Sequence, residues 1–321
     1  VKVWGDALAT SDSSASQAPE GAEERRCGFV TVLGATNAGK STLVNALVGT
    51  KVAIVSHKVQ TTRAPIRGIA IEGRSQIVFI DTAGIFRPTR RLDRAMIDAA
   101  WSGLEDADAV LLVVDAATDL SDDTRNIIER LKSAPMRRIA VLNKIDRVED
   151  KRKLLALAKS LSDLLAFDRI FMVSALEGEG LQDLRSYLAS VVPVGPWHYG
   201  EDDVTDVPMR MQAAELTREC IYRYLHQELP YTTTVETTSW TTLKDGSARI
   251  EQTIFVERDG QKKIVLGKGG ATIKKISSEA RRAIEEMTGH RVHLFLFVKV
   301  RENWGSDPER YREMGLPFPK S

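Results

Sequence analysis

Long apolar runs are missing from this chain. No stretch approaches the roughly 20 residues that a bilayer-spanning helix needs, and no signal-peptide core stands near the start. Cysteine is scarce. Cys27 and Cys220 are the only two in 321 residues, and they show no metal or redox spacing. A reduced, intracellular protein follows as the simplest expectation. A charge excess is lacking too: 45 Lys and Arg against 44 Asp and Glu leave +1, so bulk attraction to a polyanion does not follow from the total. There is no internal repeat. The length suits two domains.

What the chain does contain is one octapeptide, Gly34-Ala35-Thr36-Asn37-Ala38-Gly39-Lys40-Ser41, that fits G-x-x-x-x-G-K-[ST]. Phe29-Val30-Thr31-Val32-Leu33 before it reads as a buried strand. Ser41-Thr42-Leu43-Val44-Asn45-Ala46-Leu47 after it reads as a helix with Leu43, Val44 and Leu47 on one face. Strand, glycine loop and helix N-terminus make a phosphate site, because backbone N–H groups and the helix dipole face the anion. Lys40 is placed to reach the terminal phosphates and Ser41 to hold Mg²⁺. Further on, Ile77-Val78-Phe79-Ile80 runs into Asp81-Thr82-Ala83-Gly84. Asp81 suits a carboxylate that holds Mg²⁺ through water, and Gly84 lets the backbone approach the last phosphate. Asn143-Lys144-Ile145-Asp146 resembles the NKxD motif of the GTPase superfamily, in which the Asp accepts two hydrogen bonds from guanine. Val173-Ser174-Ala175-Leu176 resembles the last GTPase motif, whose backbone contacts the guanine oxygen. Each motif follows an apolar strand, as ligands at the carboxyl ends of an α/β sheet require.

Residues 56–63, Ser56-His57-Lys58-Val59-Gln60-Thr61-Thr62-Arg63, are polar and aperiodic, a mobile loop. In the GTPase superfamily a Thr here binds Mg²⁺ and senses the γ-phosphate. Thr61 and Thr62 both qualify, and Thr62 is preferred. Ras-type GTPases carry a water-orienting Gln directly after DxxG. Here that position is Ile85, followed by Phe86, so slow intrinsic hydrolysis is expected. GTPases that pair an Asn in the loop with a hydrophobic replacement for that Gln often bind K⁺ beside the phosphates. Asn37 is the corresponding candidate K⁺ ligand.

A second unit follows. Its pattern is a helix over 209–229, strands over 232–243 and 247–257 joined by Lys244-Asp245-Gly246, and an apolar piece Ile264-Val265-Leu266. Then come Gly267-Lys268-Gly269-Gly270, a helix over 271–287 and a strand over 291–300. The order is that of a type II KH domain, whose GxxG loop clamps the backbone of single-stranded nucleic acid. Between residues 261 and 301 ten Lys and Arg face three Asp and Glu, an electrostatic footprint for a polyanion. Lys268, Lys274, Lys275 and Arg281 join the loop as candidate RNA contacts. Phe295 and Phe297 lie in a strand apolar on both faces and are expected in the core.

A single GTPase domain followed by a KH domain resembles the Era family of bacterial and organellar GTPases. The resemblance spans nearly everything from Gly28 to Trp304. It rests on Gln60-Thr61-Thr62-Arg63, the linker from Asp202 to Pro208, Val256-Glu257-Arg258 with Gln261-Lys262-Lys263, and the strand from His293 to Val300. Thr36 and Ala83 depart from it, standing where the family usually has Pro, and Phe297 stands where Trp is common. The implied fold is a P-loop NTPase domain of the Ras-like α/β class with a mainly parallel sheet, plus a C-terminal α+β KH domain. The expected organisation is a disordered extension over 1–26, a GTPase domain over 27–193, a linker over 194–208, a KH domain over 209–304 and a tail over 305–321. The chain begins with Val rather than Met, which leaves its native start open.

Several expectations come with the resemblance. The protein binds GTP and GDP with Mg²⁺, K⁺ being a second candidate cation, and hydrolyses GTP with Lys40, Thr62 and Gly84 at the reacting phosphate. The nucleotide contacts run from Gly34 to Thr42, from Asp81 to Ile85, and through Asn143, Lys144, Asp146, Ser174, Ala175 and Leu176. The RNA is the 3′ end of 16S ribosomal RNA, the role is maturation of the 30S subunit, and the protein is a cytoplasmic monomer that does not bind DNA. Peripheral contact with the inner membrane comes from the family alone. A tRNA-modification GTPase and a signalling or cell-cycle switch with a protein partner are the competing readings.

Overall fold

The computed structural model describes residues 24–319. Most of the expected disordered extension, residues 1–23, lies outside that range. Its last residue, Arg26, opens the first strand. The first unit is a six-stranded sheet built from β1 (Arg26–Leu33), β2 (Ile66–Glu72), β3 (Ser75–Asp81), β4 (Ala109–Asp115), β5 (Arg137–Asn143) and β6 (Arg169–Met172). The spatial order is β2-β3-β1-β4-β5-β6, parallel except for β2 against β3. Strands β3 and β4 are buried almost along their whole length because helices cover both faces. On one face α1 (Lys40–Val48) and α5 (Leu181–Val191) pack Leu43, Val44, Leu47, Leu184 and Leu188 against Val30, Val32, Phe79 and Leu111. On the other, α2 (Arg91–Ser102), α3 (Asp122–Leu131) and α4 (Arg152–Leu164) bring Trp101, Ile127, Leu131, Leu154 and Leu161 against Leu33, Leu112 and Leu142. From β1 the chain passes to β2 and β3 on one side of it and then crosses to β4 on the other, and this reversal opens a crevice at the carboxyl end of β1.

The linker is a strap. Gln76 Oε1 accepts the backbone N–H groups of His198 and Tyr199 at 2.9 and 3.0 Å, and Gln76 Nε2 donates to the Tyr199 carbonyl. The Ile69 N–H on edge strand β2 donates to the Val204 carbonyl at 2.9 Å, which partly covers an edge that would otherwise be open.

The second unit has α6 (Met209–Tyr224), β7 (Thr234–Thr242), β8 (Ala248–Val256), α7 (Asp259–Leu266), α8 (Ala271–Thr288) and β9 (Val292–Val300). Its sheet is ordered β7-β8-β9, with β7 antiparallel and β9 parallel to β8. Ile221, Ile254, Val265, Ile276 and Ala280 form the core. Helix α6 stops at Tyr224, short of the 229 expected from Pro230. The Tyr222 and Leu225 carbonyls at its end take Lys58 Nζ from the first domain instead of a further helical turn.

One expectation is overturned. Phe295 and Phe297 are 45 and 48 % exposed. Strand β9 is an edge whose alternate residues face away from the helices, so an apolar run here does not mean burial on both sides, and the Arg249 guanidinium lies 4.8 Å over the Phe295 ring. The tail is also more than a tail. It forms α9 (Pro308–Glu313), and Trp304, Tyr311 and Leu316 bury against Ala83, Leu92, Ala95, Met96 and Ala99, chiefly on α2 of the first domain.

Candidate nucleotide and RNA sites

The phosphate loop sits between β1 and α1, and backbone contacts dictate its glycines. A Cβ on Gly34 would come 2.4 Å from the Val113 carbonyl oxygen. Gly39 has φ +92°, and a Cβ there would meet Asn143 Nδ2 at 2.3 Å. Lys40, almost fully buried, donates to the Gly34 and Ala35 carbonyls at 3.2 and 3.0 Å. Burial pulls its ammonium down to about 8, with Asp81 opposing and Lys144 reinforcing the shift.

Ser41, Thr62 and Asp81 converge. Ser41 Oγ donates to Asp81 Oδ2 at 2.6 Å, Thr62 Oγ1 to the same oxygen at 3.2 Å, and the two hydroxyls lie 2.9 Å apart. Asp81 Oδ1 is buried with no hydrogen-bond partner among the described residues. Burial pushes the Asp81 carboxyl above its usual range, against the Ser41 bond and the Lys40 charge. A hard cation would satisfy the orphaned oxygen and offset the desolvation of the carboxylate, so this donor set fits Mg²⁺. Thr62, not Thr61, joins the cluster; Thr61 Oγ1 turns to the Lys58 carbonyl.

At the other end of the crevice Asn143 bridges two loops, donating to the Ala38 carbonyl and accepting the Ala175 N–H, both at 3.0 Å. Lys144 donates to the Asn37 carbonyl at 2.5 Å and to Asp115 Oδ2 at 2.6 Å. Ser174 Oγ donates to Asp146 Oδ1 at 2.6 Å, which fixes that carboxylate. Leu176 is 70 % exposed on the rim. Thr42 lines the pocket beside Thr36 and Asn37. Asn37 Nδ2 lies 3.4 Å from the His57 carbonyl of the loop that carries Thr62.

Three candidates hold the site by other means than their side chains. Thr82 Oγ1 turns inward to the Val32 carbonyl at 2.7 Å. Ala83 is buried under the C-terminal segment. The Ile85 side chain is in the core beside Leu33 and Trp101, while its N–H donates to the Gly34 carbonyl at 3.0 Å. Gly84 abuts the loop so closely that a Cβ would meet Thr36 Cα at 2.7 Å. Two residues were missed by sequence reasoning. Asp115 ends an apolar strand as Asp81 does, a signal open to reading. Asn45 accepts the Val52 and Ala53 N–H groups at 2.9 Å and left no such signal.

In the second domain Gly267 has φ +75°, and a Cβ there would meet the Thr272 backbone nitrogen at 2.8 Å. Gly269 and Gly270 have φ +59° and +79° and open space around them. Lys268, Lys274 and Lys275 are exposed near them. Arg281 stands apart. It lies about 15 Å along α8 at the helical rise and gives Nη1 to both Glu285 oxygens at 2.9 Å. Ile264, 59 % exposed one turn before the loop, adds an apolar contact.

The chain aligns with the GTPase Era of Bradyrhizobium sp. (strain ORS 278) at 63 % identity over 304 residues, 95 % of this chain and 98 % of the relative. It belongs to the Era family of GTPases. Rhizobium meliloti (strain 1021) GTPase Era is 60 % identical over 94 % of this chain and 96 % of its own. Residues 29–144 match the 50S ribosome-binding GTPase family and residues 228–305 the KH domain. A crystal structure of Era in complex with MgGDPNP and nucleotides 1506–1542 of 16S ribosomal RNA superposes with a TM-score of 0.86 at 34 % identity, covering 91 % of this chain and 99 % of that one. Aquifex aeolicus Era bound to GDP and AlF4⁻ gives the same TM-score and identity over 90 % of this chain and 99 % of its own. The chain is a GTPase of this family, with the P-loop α/β domain and the C-terminal KH domain.

If Lys40 meets phosphate in its charged form, as expected from the phosphate loop, then with its pKa pulled down to about 8 affinity for guanine nucleotide is expected to be level below that pH. Above it affinity weakens, by at most about tenfold per pH unit. Calorimetric titration across this range checks it, and a flat profile would contradict the assigned role of Lys40.

Proposed function

We propose that this GTPase is a timer for small-subunit assembly: it binds the 3′ end of 16S ribosomal RNA through its KH domain, assists RNA processing, and lets go when GTP is hydrolysed. The observation that supports this most strongly is the likeness over nine-tenths of the chain to an Era structure that carries MgGDPNP and a 16S fragment. Residues 27–193 act as the GTPase domain, 194–208 as the connecting strap, 209–304 as the KH domain and 305–321 as the tail, which docks through Tyr311 and Leu316.

In this reading Gly34–Ser41 and Thr42 cradle the phosphates, Lys40 neutralises them, and Ser41, Thr62 and, through water, Asp81 hold Mg²⁺. The metal supplies charge stabilisation at the phosphoryl group. Gly84 offers its backbone at the terminal phosphate, and Asn143, Lys144, Asp146, Ser174, Ala175 and Leu176 frame guanine. Asp146 selects it, since adenine presents no matching donor pair. The buried Ile85 cannot orient water, so unaided hydrolysis is slow. Asn37 and the His57 carbonyl are already close. With the Asn37 amide flipped, a choice that hydrogen positions do not fix, its oxygen and the His57 carbonyl would be the candidate ligands of a K⁺ that would add positive charge beside the phosphates. Turnover is expected to rise several-fold in KCl over NaCl at equal ionic strength; equal rates would remove K⁺ from the scheme.

The RNA strand runs over Gly267-Lys268-Gly269-Gly270, where Lys268, Lys274 and Lys275 meet phosphates and Ile264 lines the groove. Arg281, tied to Glu285, contributes mainly to the field. The protein works as a cytoplasmic monomer on RNA rather than DNA. Membrane contact, if made, is peripheral, and among the described residues no helix is long and apolar enough to cross a bilayer. Gly269→Asp tests the loop cleanly. Open space at Gly269 accepts a Cβ, Asp tolerates a left-handed backbone, and the carboxylate repels phosphate. RNA affinity should fall about tenfold or more, an effect of about 1.4 kcal/mol or greater, with GDP affinity unchanged. Unaltered RNA binding would mean that the loop is not the clamp.

A further inference from the structure

The loop that carries Thr62 is held mainly from outside its own domain. Glu219 on α6 accepts the Val55 N–H at 3.0 Å and Lys51 Nζ at 2.6 Å. Lys58 Nζ donates to the Tyr222 and Leu225 carbonyls. The Tyr222 hydroxyl donates to the Gln60 carbonyl at 3.2 Å. Arg63 Nη2 donates to the Thr233 carbonyl at 2.9 Å. Closest to the metal ligand, Arg218 Nη2 donates to the Thr61 carbonyl at 2.6 Å.

That last bond acts on a single rigid unit. The Thr61 carbonyl and the Thr62 N–H belong to one planar trans peptide, so anchoring the oxygen fixes where the Thr62 N–H points and where its Cα sits. The anchor is itself immobile. Arg218 is 1 % exposed, and Glu215 holds both its Nε, at 2.8 Å, and its Nη2. From within the first domain residues 57–61 receive lighter ties, from Asn37 to the His57 carbonyl at 3.4 Å and from Arg90 to Gln60 Oε1 at 2.9 Å. Neither reaches the Thr61–Thr62 peptide.

We infer that Arg218, a residue of the KH domain's first helix, is a positioning residue for GTP hydrolysis: it holds the Thr61–Thr62 peptide so that Thr62 meets the metal and the terminal phosphate. The hydrolytic centre is then completed by the second domain. The inference rests on the reading of Thr62 as the switch threonine. GDP lacks the phosphate that Thr62 senses, so Arg218 bears on GTP turnover and leaves GDP binding alone.

The test uses the full chain. Arg218→Met keeps most of the buried volume and removes the donors. Loss of one charge-assisted hydrogen bond predicts a fall in kcat of about tenfold and a raised Mg²⁺ requirement, with GDP affinity unchanged. Arg218→Lys, which retains a donor, recovers part of the rate. Tyr222→Phe removes only the hydroxyl that holds the Gln60 carbonyl; it predicts a smaller fall of the same kind and decides the matter if Arg218→Met does not fold. Thr62→Ala is the control. If it lowers turnover while folded Arg218→Met and Tyr222→Phe run at the parent rate, the positioning role is overturned. If Thr62→Ala itself leaves turnover and Mg²⁺ dependence unchanged, the reading of Thr62 has failed instead. Parallel losses of GDP affinity and melting temperature in the Arg218 and Tyr222 variants would make the contact merely structural.

Discussion

Two buried guanidinium groups govern how the domains meet. Arg63 on the loop and Arg218 on α6 are 6 and 1 % exposed, and each leaves one Nη1 without a partner. Taking such a charge out of water costs several kcal/mol. Arg218 offsets this with the Glu215 carboxylate. Among the described residues Arg63 has no carboxylate at hydrogen-bond distance. It depends on backbone carbonyls of residues 230, 231 and 233 and on the face of Trp304, 5.6 Å away. Burial pulls its pKa below the usual range, the sign expected when acceptors only partly replace water. The contact therefore holds only while the acceptors stay in place.

An interface of this kind suits a switch better than an apolar one would. Apolar contacts are non-directional, whereas hydrogen bonds from charged groups fail steeply with distance and angle. The second contact between the domains has the other character. Trp304, Tyr311 and Leu316 pack on α2 and Ala83 and make an apolar contact. One junction is brittle and polar, at the Thr62 loop; the other is greasy and tolerant, behind Gly84. In the proposed scheme the loop would change its hold on the KH domain at the polar junction while the apolar one keeps the domains together.

Much of the nucleotide site was legible in the sequence because its ligands sit at the ends of buried strands, where an apolar run stops abruptly at Asp81 or Asn143. The KH element order was legible for a similar reason, through alternating and helical periodicity around Gly267-Lys268-Gly269-Gly270. Hydrophobic pattern is silent about polar interfaces, however. Thr217, Arg218 and Glu219 on α6 are polar residues with no role in the sequence reading, yet all three are buried, because strand β8 covers Thr217 and the polar backbone of the loop covers the other two. The tail was opaque because six helical residues with one Tyr carry no period. Phe295 and Phe297 misled because an apolar strand was taken to be covered on both faces, and β9 is an edge with one face open.

The central claim is that the state of the nucleotide reaches the RNA-binding domain through the Thr62 loop. Its most direct test is the affinity of the full chain for a 16S 3′-end oligonucleotide, measured with the protein saturated by a non-hydrolysable GTP analogue and again by GDP, at one salt concentration. The account predicts tighter binding in the analogue state, by about fivefold or more, the lower bound of a typical coupling free energy. Equal affinities in the two states would contradict it.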